Sequence, residues 1–169
     1  MRKIAQFFKV SEKQFIQDFC AAHQGVRQEE AKEIYDNIRL PQRATKGSAG
    51  YDIYTPITCT LKPGKSAKIP TGIRVKIEEG WFLSVFPRSG LGFKFRLQLD
   101  NTVGVIDSDY YFAENEGHIF VKVTNDSKEG KTVELEAGKA FCQGIFLNYG
   151  ITVDDEAEGI RVGGLGSTS

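Results

Sequence analysis

Apolar residues recur at every second position in several short segments from residue 48 onward. Residues 73–77 alternate Ile, Val and Ile with Arg and Lys, and residues 119–123 repeat the alternation, whereas residues 81–86 are apolar almost throughout. Because successive side chains of a strand point to opposite faces, alternation predicts half-buried strands and the denser run predicts a strand buried on both faces. Turn pairs such as Pro63-Gly64 separate these segments. Many short strands with frequent turns predict a mainly β fold of the sandwich, barrel or jelly-roll type.

The first 40 residues follow a helical period instead. Ser11 opens a Ser-x-x-Gln sequence, the form of a capping box, and Phe15 and Phe19 follow on one helical face. A second amphipathic stretch places apolar residues at i, i+3, i+4 and i+7, namely Ala31, Ile34, Tyr35 and Ile38. We expect one or two short helices in residues 11–38 that pack on the body of the protein.

The sequence divides into a strand and helical lead-in at residues 1–40, a β domain at 41–153 and a C-terminal arm at 154–169. With 169 residues and 40% hydrophobic content, it is long enough for one compact domain and not for a second large core. The arm is acidic at its start, rich in Gly and Ser at its end and poor in large apolar groups. We therefore expect it to be flexible without a ligand.

Charge and composition exclude several functional classes. The 22 basic and 22 acidic residues balance, which argues against a dedicated nucleic-acid binder. Three widely spaced cysteines predict free thiols rather than a disulfide framework, and with only two histidines we see no zinc-type ligand cluster. The N-terminus has no sustained apolar run, so we expect no membrane association and a cytoplasmic protein.

Asp107 is the first candidate for chemistry. It follows the apolar pair Val105-Ile106 within residues 101–110, a segment that we interpret as a tight hairpin. A carboxylate at the floor of a pocket, partly removed from water, can act as a general base. The alternative is an ordinary aspartate in a surface turn, and the segment alone leaves both interpretations open.

Three further segments carry groups that suit an anion. Residues 87–92 end an apolar strand with Arg, Ser and Gly, and residues 47–52 form a small-residue turn before Asp52. Arg161 and the Gly, Ser and Thr residues after it offer a guanidinium, hydroxyls and accessible amides. Taken singly, these segments are equally compatible with a strand exit, a turn and a flexible terminus.

Taken in order, these segments closely resemble the five motifs of the trimeric dUTP diphosphatase (dUTPase) family. The motifs correspond to residues 43–52, 87–91, 101–110, 138–143 and 161–168. The resemblance extends over residues 41–168 in the family's order and roughly its spacing. It implies a jelly-roll-like β fold and a homotrimer whose active sites each combine three subunits. It also implies hydrolysis of dUTP to dUMP and pyrophosphate with Mg²⁺. The substrate's phosphates would mainly hold the ion, and Asp52 would lie near it through a water molecule.

The resemblance assigns a role to each matched position. Asp107 would activate the water that attacks the α-phosphorus, and Tyr110 would lie against the deoxyribose. The hairpin would read uracil through its backbone, in a slot too narrow for thymine, and Phe120 falls on the strand behind the base. The base and phosphate contacts implied are Arg88, Ser89, Gly90, Asn101, Gly104, Val105, Ile106, Gln143, Arg161, Leu165, Gly166, Ser167 and Thr168.

The sequence departs from the family at several places. Residues 111–116 form a loop about five residues longer than usual, and the lead-in of residues 1–40 is also long. Leu165 stands where many members have a phenylalanine that stacks on uracil, which loses roughly 0.5–1.5 kcal/mol of aromatic contact. Ala140 stands where an arginine is common, which puts a charge contact in doubt.

Two other functions remain to be separated from dUTP hydrolysis. A dCTP deaminase of the same fold would release ammonia from dCTP. A nucleotide-responsive regulatory protein would use the helical lead-in or the 111–116 loop to bind a protein partner. In that case deletion of residues 111–116 would abolish partner capture and spare hydrolysis.

Overall fold

The computed structural model describes residues 2–163, which form twelve strands, three α-helices and one 3₁₀ helix. In chain order these are β1 (Ala5–Lys9), α1 (Glu12–Ala22), α2 (Gln28–Asp36), β2 (Gln42–Arg43), β3 (Tyr51–Tyr54), β4 (Cys59–Leu61), β5 (Ser66–Pro70), β6 (Ile73–Ile77), β7 (Trp81–Pro87), α3 (Ser89–Phe95), β8 (Leu97–Leu99), β9 (Gly104–Ile106), the 3₁₀ helix (Ser108–Phe112), β10 (Phe120–Asn125), β11 (Val133–Leu135) and β12 (Ala140–Asn148). No helix in this part of the chain is long and apolar enough to cross a membrane.

The strands form antiparallel sheets, which confirms the predicted mainly β fold. The largest sheet has the order β2-β3-β12-β7-β9, and a second has the order β5-β10-β8. Two strand pairs, β1-β6 and β11-β4, complete the arrangement. β9 is the last strand of its sheet, so within the described residues one side of its backbone has no strand partner.

Burial follows the alternation in the sequence. In β6 the side chains of Ile73, Val75 and Ile77 are buried and that of Lys76 is exposed. Ile119, just before β10, and Val121 and Val123 within it are likewise buried, whereas Lys122 between them is exposed. The centre of β7 is buried at three consecutive positions, as its apolar density predicts. The three cysteines are free thiols, as expected.

The N-terminal segment packs into the same core. β1 pairs with β6, and Phe15 and Phe19 of α1 are fully buried. The Ser11 hydroxyl accepts a hydrogen bond from the Gln14 amide at 3.1 Å, so the predicted N-cap is confirmed. Ala31 on α2 is also fully buried. Both predicted helices therefore exist and pack on the body of the protein.

The predicted hairpin at residues 101–110 is wrong. β8, just before it, pairs with β10, whereas β9 within it pairs with β7. The segment therefore crosses from one sheet to the other and ends in the 3₁₀ helix. Alternation alone does not specify the partner of a strand, which is why the sequence pattern was compatible with a hairpin.

Candidate active site

Three of the motif segments meet at the carboxyl end of β7. Arg88 follows β7 and pairs through Nε with Oδ1 of Asp52 at 3.2 Å, while its Nη1 donates to the carbonyl oxygen of Ala140 at 3.3 Å. Gln143 donates from Nε2 to the carbonyl oxygen of Pro87 at 3.3 Å. The contacts follow from the sheet order, because β12 lies between β3 and β7. Asp52, Arg88 and Gln143 are called the Arg88 cluster below.

Small residues leave the Arg88 cluster accessible. A Cβ on Gly50 would lie 2.5 Å from Oε1 of Gln143, so glycine at this position makes room for the amide. Ser89 and Gly90 follow Arg88 directly, and both are exposed. A guanidinium, a hydroxyl and exposed backbone amides are groups that bind phosphate. The predicted phosphate contacts of motifs two and four therefore lie together.

A cavity of about 550 Å³ lies between β9 and β10. This volume is within the usual range for a small-molecule site. Its lining includes five of the predicted substrate contacts, namely Asn101, Gly104, Val105, Ile106 and Phe120. A Cβ on Gly104 would approach Cβ of Val85 to 3.0 Å, so a side chain there would crowd the wall. Lys68, Asp100 and Lys122 also line the cavity, and their charges make it polar at one side.

Asp107 lies between β9 and the 3₁₀ helix, beside this cavity rather than at its floor. Its side chain is 48% exposed. Nη2 of Arg161 approaches Oδ2 of Asp107 at 2.5 Å, and Nε of Arg161 approaches Oδ1 of Asp109 at 2.8 Å. The first residue of motif five thus covers the acid of motif three within one chain.

Tyr110 is almost completely buried, whereas its predicted role is to lie against the sugar of the substrate. Its side chain is 3% exposed, and its hydroxyl donates to the carbonyl oxygen of His118 at 2.8 Å. Nδ2 of Asn115 donates to the same hydroxyl at 3.0 Å. Burial raises the pKa of Tyr110 above its ordinary value, against the opposing effect of the Asn115 hydrogen bond. The sugar contact stays a prediction.

Asp107 and the Arg88 cluster lie at different levels of β7. Ile106 is opposite Leu83, whereas Cys142 is opposite Pro87. These levels are separated by four residues, or roughly 13 Å at about 3.3 Å per residue. Asp107 follows Ile106 and lies beyond the first level, toward the start of β7. Ser89 follows Arg88 and lies beyond the second level, past the end of β7. Their short side chains therefore cannot reach the same phosphate within one chain.

The family model described as dUTPase matches residues 36–168 of this chain. The chain belongs to the dUTPase family. A deoxyuridine 5'-triphosphate nucleotidohydrolase from Lactococcus lactis is 40% identical over 134 residues, which cover 78% of this chain and 88% of that protein. One from Dictyoglomus turgidum is 38% identical over 146 residues, which cover 81% of this chain and 95% of that protein.

Solved structures agree with this family membership. The crystal structure of the dUTPase from Streptococcus mutans has a TM-score of 0.61 and 39% identity, and covers 69% of this chain and 90% of that chain. The dUTPase from phage phi11 of S. aureus is only 22% identical but covers 93% of this chain and 97% of its own, with a TM-score of 0.63, so its likeness concerns the fold. The predicted jelly-roll-like β fold is confirmed.

The long loop of this dUTPase folds back onto the chain. Oε1 and Oε2 of Glu116 each accept a hydrogen bond from Ser11, from its hydroxyl and its backbone amide, at 2.7 Å. Gly117 has a φ of +69° and lies against the carbonyl of Tyr110. The loop at residues 111–116 and the lead-in, most of which precedes the family match, are thus joined to each other. Sequence patterns did not indicate this, because the joined residues are far apart along the chain.

The residues of the Arg88 cluster are compatible with a Mg²⁺ ion held mainly by phosphates. Among residues 2–163 no three His, Cys, Asp or Glu side chains are grouped as a metal site. Asp52 pairs with Arg88 through Oδ1, and its side chain is 22% exposed. Its carboxylate can therefore reach a water on such an ion, whose remaining positions phosphate oxygens would fill.

The last part of motif five lies outside the described residues. This applies to the predicted contacts Leu165, Gly166, Ser167 and Thr168. Arg161 is described, and its guanidinium donates to the carboxylates of Asp107 and Asp109.

Proposed function

We propose that this dUTPase hydrolyses dUTP to dUMP and pyrophosphate, with Asp107 as the general base. The observation that carries the proposal is that Asp107, with a half-exposed carboxylate, directly follows the motif-three strand β9, whose three residues line the cavity. The sequence relatives are named for hydrolysis of deoxyuridine 5'-triphosphate, which supports the same substrate here. No relative reported above is named as a deaminase, so that alternative is not favoured.

The free side of β9 suits recognition of uracil. Strand β9 contributes all three of its residues to the cavity wall, and one side of its backbone has no strand partner in the described chain. Backbone N–H and C=O groups on such an edge can pair with the polar edge of a base, as they would with another strand. Phe120 on the opposite wall provides an aromatic surface for the ring. A slot of this kind selects uracil by its hydrogen-bonding edge and excludes the thymine methyl group by its width.

Asp107 would take a proton from the water that attacks the α-phosphorus. The P–O bond to the bridging oxygen then breaks, and pyrophosphate leaves. In the unliganded chain Arg161 pairs with the Asp107 carboxylate, so the base becomes free when this guanidinium moves to the triphosphate. A triphosphate offers Arg161 more negative charge than two exposed carboxylates do, which favours the transfer.

The phosphate contacts would come from a neighbouring subunit of a homotrimer. The Arg88 cluster and Asp107 are too far apart in one chain to act on one phosphorus atom. Symmetric copies can bring the two together, because a closed ring places one face of each subunit against another face of the next. Phe93 is 93% exposed and Val105 is 56% exposed in the single chain, so both are available for such contacts. The arm from residue 161 onward would complete the site.

Mg²⁺ would neutralise the triphosphate and orient it for attack. Asp52 would hold a water of the ion, while Arg88 supports the loop that carries Ser89 and Gly90. The protein's own contribution is to place the α-phosphorus opposite Asp107 and to exclude bulk water.

Asp107→Asn tests the assignment, with Asp109→Asn as the matched control. Both carboxylates pair with Arg161 and both are about half exposed. Loss of a general base lowers turnover by about 10²–10⁴-fold, whereas dUTP binding is kept. We expect this loss for Asp107→Asn and a loss of less than about tenfold for Asp109→Asn, which leaves the base in place. The measurement is pyrophosphate release from a panel of dNTPs, with ammonia release from dCTP assayed in parallel. Equal turnover in the parent and Asp107→Asn would contradict the assignment.

A further inference from the structure

His118 is a fully buried polar residue that motif comparison does not explain. Its Nε2 accepts a hydrogen bond from the backbone amide of Gly72 at 2.8 Å. Because Nε2 accepts, the ring proton is on Nδ1, which lies 2.6 Å from Oδ2 of Asp18. The imidazole thus donates to a carboxylate on α1, and both ring nitrogens have a fixed partner.

Asp18 belongs to the part of the chain that the family pattern does not include. The family match begins at residue 36, whereas Asp18 lies within α1. Its side chain is 17% exposed, and Oδ2 also accepts a hydrogen bond from Nε2 of Gln14 at 3.0 Å. One face of α1 therefore directs an oriented carboxylate at the β domain.

On its other side His118 contacts the proposed nucleotide pocket. Its ring centroid lies 4.5 Å from that of Phe120, which lines the cavity. Its carbonyl oxygen accepts the hydroxyl hydrogen bond of Tyr110 at 2.8 Å. A rotation of the His118 ring would therefore move Phe120 in the cavity wall, and a shift of its backbone would move Tyr110, the residue expected beside the sugar.

Packing around His118 leaves little room for adjustment. Gly72 has a φ of +72°, and a Cβ there would lie 2.1 Å from Cδ1 of Ile38. The ring of Phe15 on α1 lies 6.0 Å from the imidazole. Since close-packed interiors transmit small displacements, the position of α1 is coupled to that of His118.

We propose that Asp18 is a positioning residue for the nucleotide pocket. Through its hydrogen bond to His118 it holds Phe120 and Tyr110 in the arrangement that the base and the sugar require, without touching the substrate itself. This inference rests on the proposed function, because that function identifies the nucleotide in the pocket as dUTP. The N-terminal helix is then a support for the pocket and not only a cover for the core.

Asp18→Ala and Asp18→Asn separate positioning from general stability. Loss of the hydrogen bond in Asp18→Ala raises KM for dUTP by about tenfold while kcat changes by less than about twofold, because the base and the phosphate contacts are unaltered. Asn keeps an acceptor oxygen for Nδ1 and restores KM to within about threefold of the parent. The control is Glu12→Gln, on the same helix as Asp18, which removes an exposed ion pair to Lys32 of α2 and should leave KM unchanged.

A second readout needs no substrate. Amide hydrogen exchange of residues 107–120 in the unliganded full-length protein should accelerate in Asp18→Ala and stay at the parent rate in Asp18→Asn and Glu12→Gln. An unchanged KM and unchanged exchange in Asp18→Ala, or the same changes in Glu12→Gln, would overturn the proposal. If the parent fails to hydrolyse dUTP, the proposed function fails, and the exchange experiment still decides whether Asp18 organises this wall.

Discussion

Gly117 is the residue at which the long loop returns to the β domain. Its φ is +69°, a left-handed conformation that side chains disfavour. A Cβ there would lie 2.6 Å from the carbonyl oxygen of Tyr110 and 2.8 Å from Cα of Tyr111, and backbone atoms cannot move aside as a flexible side chain can. We expect Gly117→Ala to destabilise the protein by about 3–4 kcal/mol, from backbone strain and overpacking together.

Gly130→Ala is the matched control for this residue. Gly130 has a nearly equal φ of +72°, yet nothing lies within 4 Å of a Cβ built there. Gly130→Ala should destabilise the protein by about 1–2 kcal/mol, from the strain of the left-handed backbone alone. Denaturant unfolding of both variants at one protein concentration measures the difference. Equal destabilisation of the two would show that the approach to Tyr110 is not a tight one.

At the scale of elements, the junction between the loop and α1 depends on an ionised Glu116. Burial acts to raise the pKa of Glu116, but the two hydrogen bonds from Ser11 and the charge of Arg74 outweigh it, so the pKa is lowered. A lowered pKa in the folded state stabilises the fold fully above the unfolded value of about 4.3, and this stabilisation is lost as pH falls through the folded value.

Glu116→Gln should therefore melt at a lower temperature than the parent at pH 7. The gap should narrow as the pH falls below about 4, where the parent's own Glu116 becomes protonated. Melting curves of both proteins, recorded at several pH values from about 3 to about 7, provide the test. A gap that stays constant across this range would mean that the charge of Glu116 does not support the junction.

The C-terminal arm is the second element with a testable role. Removal of residues 161–169 takes away Arg161 and the rest of motif five, and none of the described residues 161–163 is buried in the core. We expect turnover to fall sharply while the melting temperature and the oligomeric state stay at parent values. A chain that ends at residue 163 keeps the pair between Arg161 and Asp107 and separates the two halves of the motif. Full turnover in the chain that lacks 161–169 would argue against any role for the arm.

Elements with a buried face could be predicted from the sequence, and others could not. β6 and the capped helix α1 each leave a periodic signal because one side faces the core. α3 has no buried residue and contains two glycines, so it leaves no periodic signal.

The candidate site also divides into a part that the sequence indicates and a part that it does not. Motif order indicated Asp107, whereas the pairing of Asp18 with His118 joins residues 100 positions apart and depends on the tertiary fold.

For the whole molecule, the question is whether one chain contains a complete site. The Arg88 cluster and the cavity are both well formed in a single chain, yet Asp107 and the Arg88 cluster lie toward opposite ends of β7. A monomeric enzyme would need a large rearrangement of the central sheet to bring them together. A ring of identical subunits needs no such change, because each interface can join one half of a site to the other.

Mixing two impaired variants distinguishes these possibilities. Asp107→Asn removes the base and leaves Ser89 intact, and Ser89→Ala does the reverse, so each variant alone should be slow. When the two chains are denatured, mixed in equal amounts and refolded, a site that takes Asp107 from one subunit and Ser89 from another is intact with a probability of about one quarter. Activity should therefore recover to about one quarter of the parent rate, and mixing without denaturation should give none of this gain. A site contained in one chain would show no recovery under either condition, since every chain in the mixture carries one of the two defects.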